Sequence, residues 1–241
     1  YGFSQSEIAH FSSLANEMKL MPLNGDSWVR HPLTYLVEAA DDICYNIIDL
    51  EDGTRLGLVP FEKTCELLTS IIGDRFSQAK LDNIEDINEK LGILRALTIH
   101  QLISEAVELF VENEPKMLIG SFDSALLDHV KSKAALDEIN KISIEKIYRA
   151  KQVLVREAAG YEIIEKLMGS FSHAAYHSIF ARGNITAKHK TVYGLMPKHL
   201  QLLLENSNNS VFENQQIVID FISGLTDSNA TRLYQTISGF A

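Results

Sequence analysis

Asp41, Tyr45 and Asp49 recur at i, i+4 and i+8. On a helix, at about 100° per residue, each such step drifts by only roughly 40°, so the three form one stripe. Two carboxylates and a phenol then look into the same space. The run that carries them, RHPLTYLVEAADDICYNIIDLEDG from Arg30 to Gly53, reads as one long helix with apolar residues at nearly every angle, among them Leu36, Val37, Ala40, Ile43, Cys44, Ile47 and Ile48. A helix apolar all round belongs in a core. Burial drives a carboxylate toward its neutral form, so ionised acids there call for a cation, a hydrogen-bonding ligand or solvent in a cleft. Asp49, Glu51 and Asp52 also crowd the expected helix end before Gly53, where the macrodipole disfavours negative charge. The plainer alternative is that Asp41 and Asp42 form salt bridges to a neighbouring helix.

Other residues offer weaker chemistry. Arg95 sits in the apolar helix LGILRALTIHQLI, where it either pairs with a buried carboxylate or meets an anionic ligand. His100, in the same helix, reads as a satisfied histidine. His173 and His177 have metal-compatible i, i+4 spacing, but Ala174 stands where the H-E-x-x-H motif needs its glutamate, so they read as a surface pair. Glu157, shortly before Gly160, reads first as a solvated acid. Arg182, Lys188, His189 and Lys190 form a basic cluster able to meet phosphates, although such runs are usually solvated.

The string HPLTYLVEAADDICYNIIDLEDG resembles the signature helix of the HD-domain deoxynucleoside triphosphate triphosphohydrolases, the dGTPase-type family, and DFISGLTDSNATRLY from Asp220 to Tyr234 resembles that family's closing segment. The opening YGFSQSE agrees. The resemblance implies an all-α, multi-helix HD-type phosphohydrolase that converts a dNTP, of dGTP type, to deoxynucleoside and inorganic triphosphate with a divalent metal (Mg, Mn or another transition metal). It implies Asp41 as a metal ligand, Tyr45 against the sugar where a ribose 2′-hydroxyl would not fit, and Asp49 accepting from the 3′-hydroxyl. It favours a ligand role for Arg95 and places near Glu157 an acid that meets a base edge. Asp42 is left a structural role.

No catalytic residue is assigned in these residues. The His and His-Asp pair that complete the family's metal site have no counterpart, since no His-Asp dipeptide occurs in the chain. We therefore expect a C-terminal portion, inactive alone, of a longer enzyme. Its first part, residues 1–113, would complete the HD catalytic domain, and 114–241 would form a helical C-terminal region. The resemblance also implies a homo-oligomer, often a hexamer, and allows regulation by a second dNTP or by single-stranded DNA. The rival readings are an HD phosphohydrolase acting on another nucleotide and a non-catalytic nucleotide-sensing helical protein.

Composition agrees with a large buried core: 46% of 241 residues are hydrophobic. The net charge of −10 argues against a chain devoted to the phosphate backbone of nucleic acid. No apolar run reaches membrane-span length, and the two cysteines, Cys44 and Cys65, read as core residues of a cytoplasmic protein. Helical periodicity predicts Gln5–Met21 capped by Ser6, a helix from Pro60 through Ile72, Ile84–Val111, Ser143–Leu154, Tyr161–Phe180, a helix through Leu204, a polar loop over Asn206–Ser210, Glu213–Ser223 and Ser228–Ile237.

Overall fold

Pro32 opens the long acidic helix at the one place where a missing N–H costs little, with His31 Nδ1 accepting from the Leu33 amide at 3.2 Å. The structure, a computed structural model, describes residues 2–206 and 210–240. Among these, the chain is helical, and its one extended pairing is an isolated bridge between Pro22 and Trp28. It divides into two compact units, Tyr1–Ala150 and Lys151–Ala241, each with its own apolar core.

The first unit contains α1 (Ile8–Glu17), α2 (Pro32–Arg55), α3 (Phe61–Ile72), the short α4 (Gln78–Asp82), α5 (Ile87–Leu118) and α6 (Lys133–Ile142). It closes with a π-helical turn, Ser143–Tyr148. The second unit contains α7 (Lys151–Ile179), α8 (Ala187–Gly194), α9 (Lys198–Asn206), α10 (Val211–Ser223) and α11 (Asp227–Ser238). Its core gathers Leu167, Phe171, Ala174 and Ala175 of α7 with Val192, Leu204, Val218 and Ile222. No residue of α7 before Leu167 is buried.

α2 is buried on one side only. Tyr35, Ala39, Ile43, Ile47 and Leu50 enter the core against α3, α5 and α6, while Val37, Ile48 and Cys44 are exposed. The expectation of all-round burial, and of Cys44 as a core residue, is thus corrected. An apolar composition names no neighbour, and here neighbours cover one face. The helix also runs two residues past Gly53. Leu56 ends it, and Gly57 takes the left-handed conformation (φ 71°) that favours glycine. Thr54 and buried Thr64 join hydroxyls at 2.6 Å and tie that end of α2 to α3.

Gly53 instead serves close packing. A Cβ built there would lie 2.4 Å from Ile147 Cδ1 and 2.8 Å from Ile147 Cγ1, so the absent side chain lets the π turn rest directly on α2. The turn has a reason in the sequence. Ile142 and Ile147 are both buried, and a five-residue separation would place them about 140° apart on an α-helix. An i→i+5 turn brings them back toward one side. α6 reaches this position from a fixed start: buried Glu105 of α5 accepts from the Ser132 amide at 3.0 Å and the Ser132 hydroxyl at 2.9 Å.

Other boundaries moved for local reasons. Ser4, not Ser6, closes a capping box with Glu7 ahead of α1. In and just after α1, Ala15 is buried while Leu14 and Met18 are exposed; Phe11 stacks on Phe3 at 4.2 Å between centroids. α5 continues through Pro115 to Leu118. The expected Ser143–Leu154 helix is replaced by the π turn and the start of α7, which runs unbroken through Gly160 to Ile179. α6 had no separate expectation. Within the expected Asn206–Ser210 loop, residues 207–209 lie outside the described residues; Asn206 ends α9 and Ser210 caps α10.

Gly53 and Gly160 separate two effects of glycine in a helix. Gly160→Ala, with nothing within 4 Å of its new Cβ, should stabilise by about 0.5–1 kcal/mol through helix propensity. Gly53→Ala gains the same propensity but must displace Ile147, and overpacking of about 1–3 kcal/mol should leave it destabilised. Thermal melts of the two variants check this; a Gly53→Ala protein as stable as Gly160→Ala would contradict the close-packing argument.

Candidate functional site

α2 places Asp41, Tyr45 and Asp49 along one side, as their spacing predicts, with Asp41 and Tyr45 exposed and Asp49 half-buried. The stripe lies on the uncovered face of the helix. Asp41 makes no hydrogen bond or ion pair among the described residues, so the salt-bridge alternative does not apply to it here. Asp49 does have a partner: the Tyr148 hydroxyl donates to its Oδ2. Tyr148 ends the π turn, and it was not among the residues singled out from sequence. Its phenol is pushed up to about 12 by burial, by the hydrogen bond to Asp49 and by the neighbouring acid's charge, so it remains a protonated donor across the neutral range.

Beside this contact is a cavity of about 360 Å³ between α2, α6 and the turn, with Asp42, Tyr45, Asn46, Asn140, Ser143 and Tyr148 in its wall. Its lining is dominated by hydrogen-bonding groups. The Asn46 amide donates to the Asp42 carbonyl at 2.8 Å, which leaves its side-chain oxygen directed elsewhere. The Ser143 hydroxyl is buried and has no hydrogen-bond partner among the described residues. Asp42, about 100° around the helix from Asp41, borders the cavity, and its carboxyl is pushed up first by burial and then by the charges of Glu38, Asp41 and Asp128.

Arg95 answers to the first of its two sequence readings. Its Nη1 donates to Glu51 Oε2 at 2.8 Å, and Arg55 Nη2 donates to Glu51 Oε1 at 2.7 Å. Glu51 is only 1% exposed, so the acid that seemed misplaced at a helix end is a buried carboxylate held by two guanidinium groups. Leaving either of its oxygens unpaired would cost more than the pair gains over water. Both arginines keep an exposed portion, so the pairing leaves Arg95 donors free to face solvent or a ligand.

Glu157 belongs to the second unit, on an exposed stretch of α7. In that same unit His173 is exposed, as expected of a surface pair, while His177 is half-buried and stacks face to face on His189 of α8, centroids 4.3 Å apart. Lys188 and His189 of the basic cluster share a cavity of about 420 Å³ with Lys166, His173, Glu162 and Glu165. Burial and the neighbours His177, His173 and Lys188 push the His189 imidazole down.

Among the described residues no group of three or more His, Cys, Asp or Glu side chains is arranged to hold a metal ion. These residues do not make a metal site by themselves; the unpaired Asp41 carboxylate offers one oxygen donor. Nor is any helix of the described residues long and apolar enough to cross a membrane.

Residues 128–236 match the phosphohydrolase-associated domain family. Over its full length the chain is 32% identical to a deoxyguanosinetriphosphate triphosphohydrolase-like protein of Synechocystis, of which it covers 52%. Across 99% of the chain it is 32% identical to a protein of the same description from Pseudomonas aeruginosa, covering 54% of that protein. A deoxyguanosinetriphosphate triphosphohydrolase of Yersinia enterocolitica is 25% identical over 98% of the chain and 53% of its own length. The chain is similar to proteins described as deoxyguanosinetriphosphate triphosphohydrolases or as like them, and it spans about half the length of the relatives it matches.

The raised Asp42 carboxyl has a consequence for stability. Because folding favours its protonated form, the folded state is penalised as pH rises through the usual aspartate range near 3.9 and the higher value in the fold. Asp42→Asn removes that penalty, so it should raise the melting temperature at pH 7 and have little effect near pH 3. An equal shift at both pH values, measured by calorimetry, would show that the carboxylate's charge is not the cause.

Proposed function

We propose that this chain is part of a dNTP triphosphohydrolase, an enzyme that hydrolyses a deoxynucleoside triphosphate to deoxynucleoside and inorganic triphosphate, and that α2 supplies its sugar-facing wall. The observation that carries the reading is the uncovered stripe of Asp41, Tyr45 and Asp49 beside a polar cavity, in a chain similar to proteins described as such enzymes or as like them. A divalent ion at Asp41, of the Mg, Mn or other transition type, would polarise the α-phosphate and lower the pKa of a bound water. Its other ligands are assigned to polypeptide beyond these 241 residues.

The chain's own residues then divide the remaining work. Tyr45, one turn from Asp41, presents an exposed ring whose bulk would meet the C2′ side of the sugar and leave no room for a 2′-hydroxyl. Asp49, a further turn on, accepts from the 3′-hydroxyl. A site built to hydrogen-bond a hydroxyl rejects an analogue that lacks it, because the buried acceptor is left unpaired. Arg95 has a structural duty toward Glu51 and keeps donors that can meet the leaving triphosphate. Glu157 is proposed as a base-edge contact, and the Lys188 and His189 cavity as a place for a regulatory dNTP or single-stranded DNA phosphate. Assembly as a homo-oligomer and a cytoplasmic setting belong to the same proposal.

In the full-length enzyme, Asp41→Ala should reduce turnover of dGTP by more than the ~10–100-fold that loss of an outer partner costs, together with bound metal, whereas Asp42→Ala should fall within that smaller range or below it. The isolated 241-residue chain should release no triphosphate with manganese or magnesium. Elemental analysis of folded protein and a triphosphate-release assay check both; equal metal loss in the two variants would mean that the register of the site is misassigned.

A further inference from the structure

We propose that Tyr148 is a positioning residue for sugar recognition: its hydroxyl fixes the Asp49 carboxylate so that the second oxygen of Asp49 is presented to the 3′-hydroxyl of a deoxynucleotide. The inference rests on the sugar-facing reading of α2 and adds to it a residue separated from Asp49 by 99 positions.

Three observations support it. First, the Tyr148 bond is the one hydrogen bond that holds the Asp49 side chain among the described residues, and Asp49 is half-exposed. A short carboxylate at a helix surface samples several rotamers unless something holds it, and discrimination between substrates that differ by one hydroxyl needs the acceptor in place before the substrate arrives. The phenol, at about 12, donates at every pH where a hydrolase of this kind would work, so the restraint does not titrate away.

Second, the backbone that delivers Tyr148 is fixed in place. Ile147, its neighbour, is buried at the point where Gly53 gives up a side chain, so the π turn cannot drift from α2 without opening the core. Departures from α geometry of this kind recur at functional positions, where they aim a side chain that a regular helix would send elsewhere. Gly53 lies one turn beyond Asp49 on α2, and the same contact therefore sets the spacing between phenol and carboxylate.

Third, the turn faces a cavity that has unsatisfied chemistry. Tyr148 and Tyr45 both border it, and Ser143, at the other end of the same turn, has a buried hydroxyl with no partner among the described residues. A buried hydroxyl without a partner is costly, and the native inventory of such groups is small. A ligand entering between the two tyrosines would meet Ser143, beside the phenol that holds Asp49.

The test uses the full-length enzyme with matched dGTP and 2′,3′-dideoxy-GTP. Tyr148→Phe keeps the ring and removes the hydroxyl. It should lower the dGTP to dideoxy-GTP ratio of kcat/KM by about fivefold to tenfold, the scale of one hydrogen bond to a charged group, with the change carried by KM for dGTP. Thermal melting of the variant verifies that it folds. A merely structural role would lower both substrates in proportion and leave the ratio unmoved, and that result overturns the proposal, as does a Tyr148→Phe enzyme with wild-type kinetics on both. A wild-type enzyme inert toward every dNTP would remove the underlying reading, an outcome distinct from an active enzyme with an unchanged ratio.

Discussion

The approach of Ile147 to the bare backbone at Gly53 is the constraint on which the rest of the first unit's site depends. It brings a π turn within packing distance of α2, and through that turn it sets Tyr148 against Asp49 and Ser143 at the cavity wall. Removing the approach would cost buried area and at the same time release the only side chain that holds Asp49 among the described residues. Stability and the proposed recognition therefore share one contact, in the way that rigid elements with locked side chains hold precise sites. The opposite end of α6 is anchored with equal economy, by the buried Glu105 carboxylate on Ser132.

α2 solves a conflict between composition and chemistry. Its length and apolar content would suit a fully buried helix, but a fully buried Asp41 would have been driven neutral. The core takes Tyr35, Ala39, Ile43, Ile47 and Leu50, and the acids proposed to meet metal and substrate stay on the open side. Glu51 is the exception that goes inside, and it does so with two arginines. That arrangement adds little net stability over an apolar core, yet it fixes Arg55 and Arg95, the second of which arrives from α5. The ion pair thus cross-links α2 to α5 at the level of the stripe.

What was legible in the sequence and what was not follow from range. The Asp41, Tyr45 and Asp49 stripe is local, because i, i+4 spacing on one helix needs no partner to be read. The same is true of the helical fold and of the helix after Pro60. Tyr148 lies far from Asp49 in sequence, and the five-residue step from Ile142 to Ile147 breaks the 3.6-residue rhythm, so Ser143–Leu154 read as an ordinary helix. Periodicity predicts separate helices over Ser143–Leu154 and Tyr161–Phe180, but α7 runs through Gly160, whose cost of about 1 kcal/mol is absorbed within it. For Arg95 both alternatives could be written down, while the choice depended on Glu51, 44 residues away, which looked like a poorly placed helix-end acid until α2 proved longer.

The proposal that a sugar is held along one face of α2 is tested most directly by a structure of the full-length enzyme with a non-hydrolysable deoxynucleoside triphosphate. The account predicts the 3′-oxygen within about 3 Å of the Asp49 carboxylate and the Tyr45 ring packed against C2′. A sugar bound elsewhere, with Asp49 still engaged by Tyr148 alone and Tyr45 facing solvent, would contradict it.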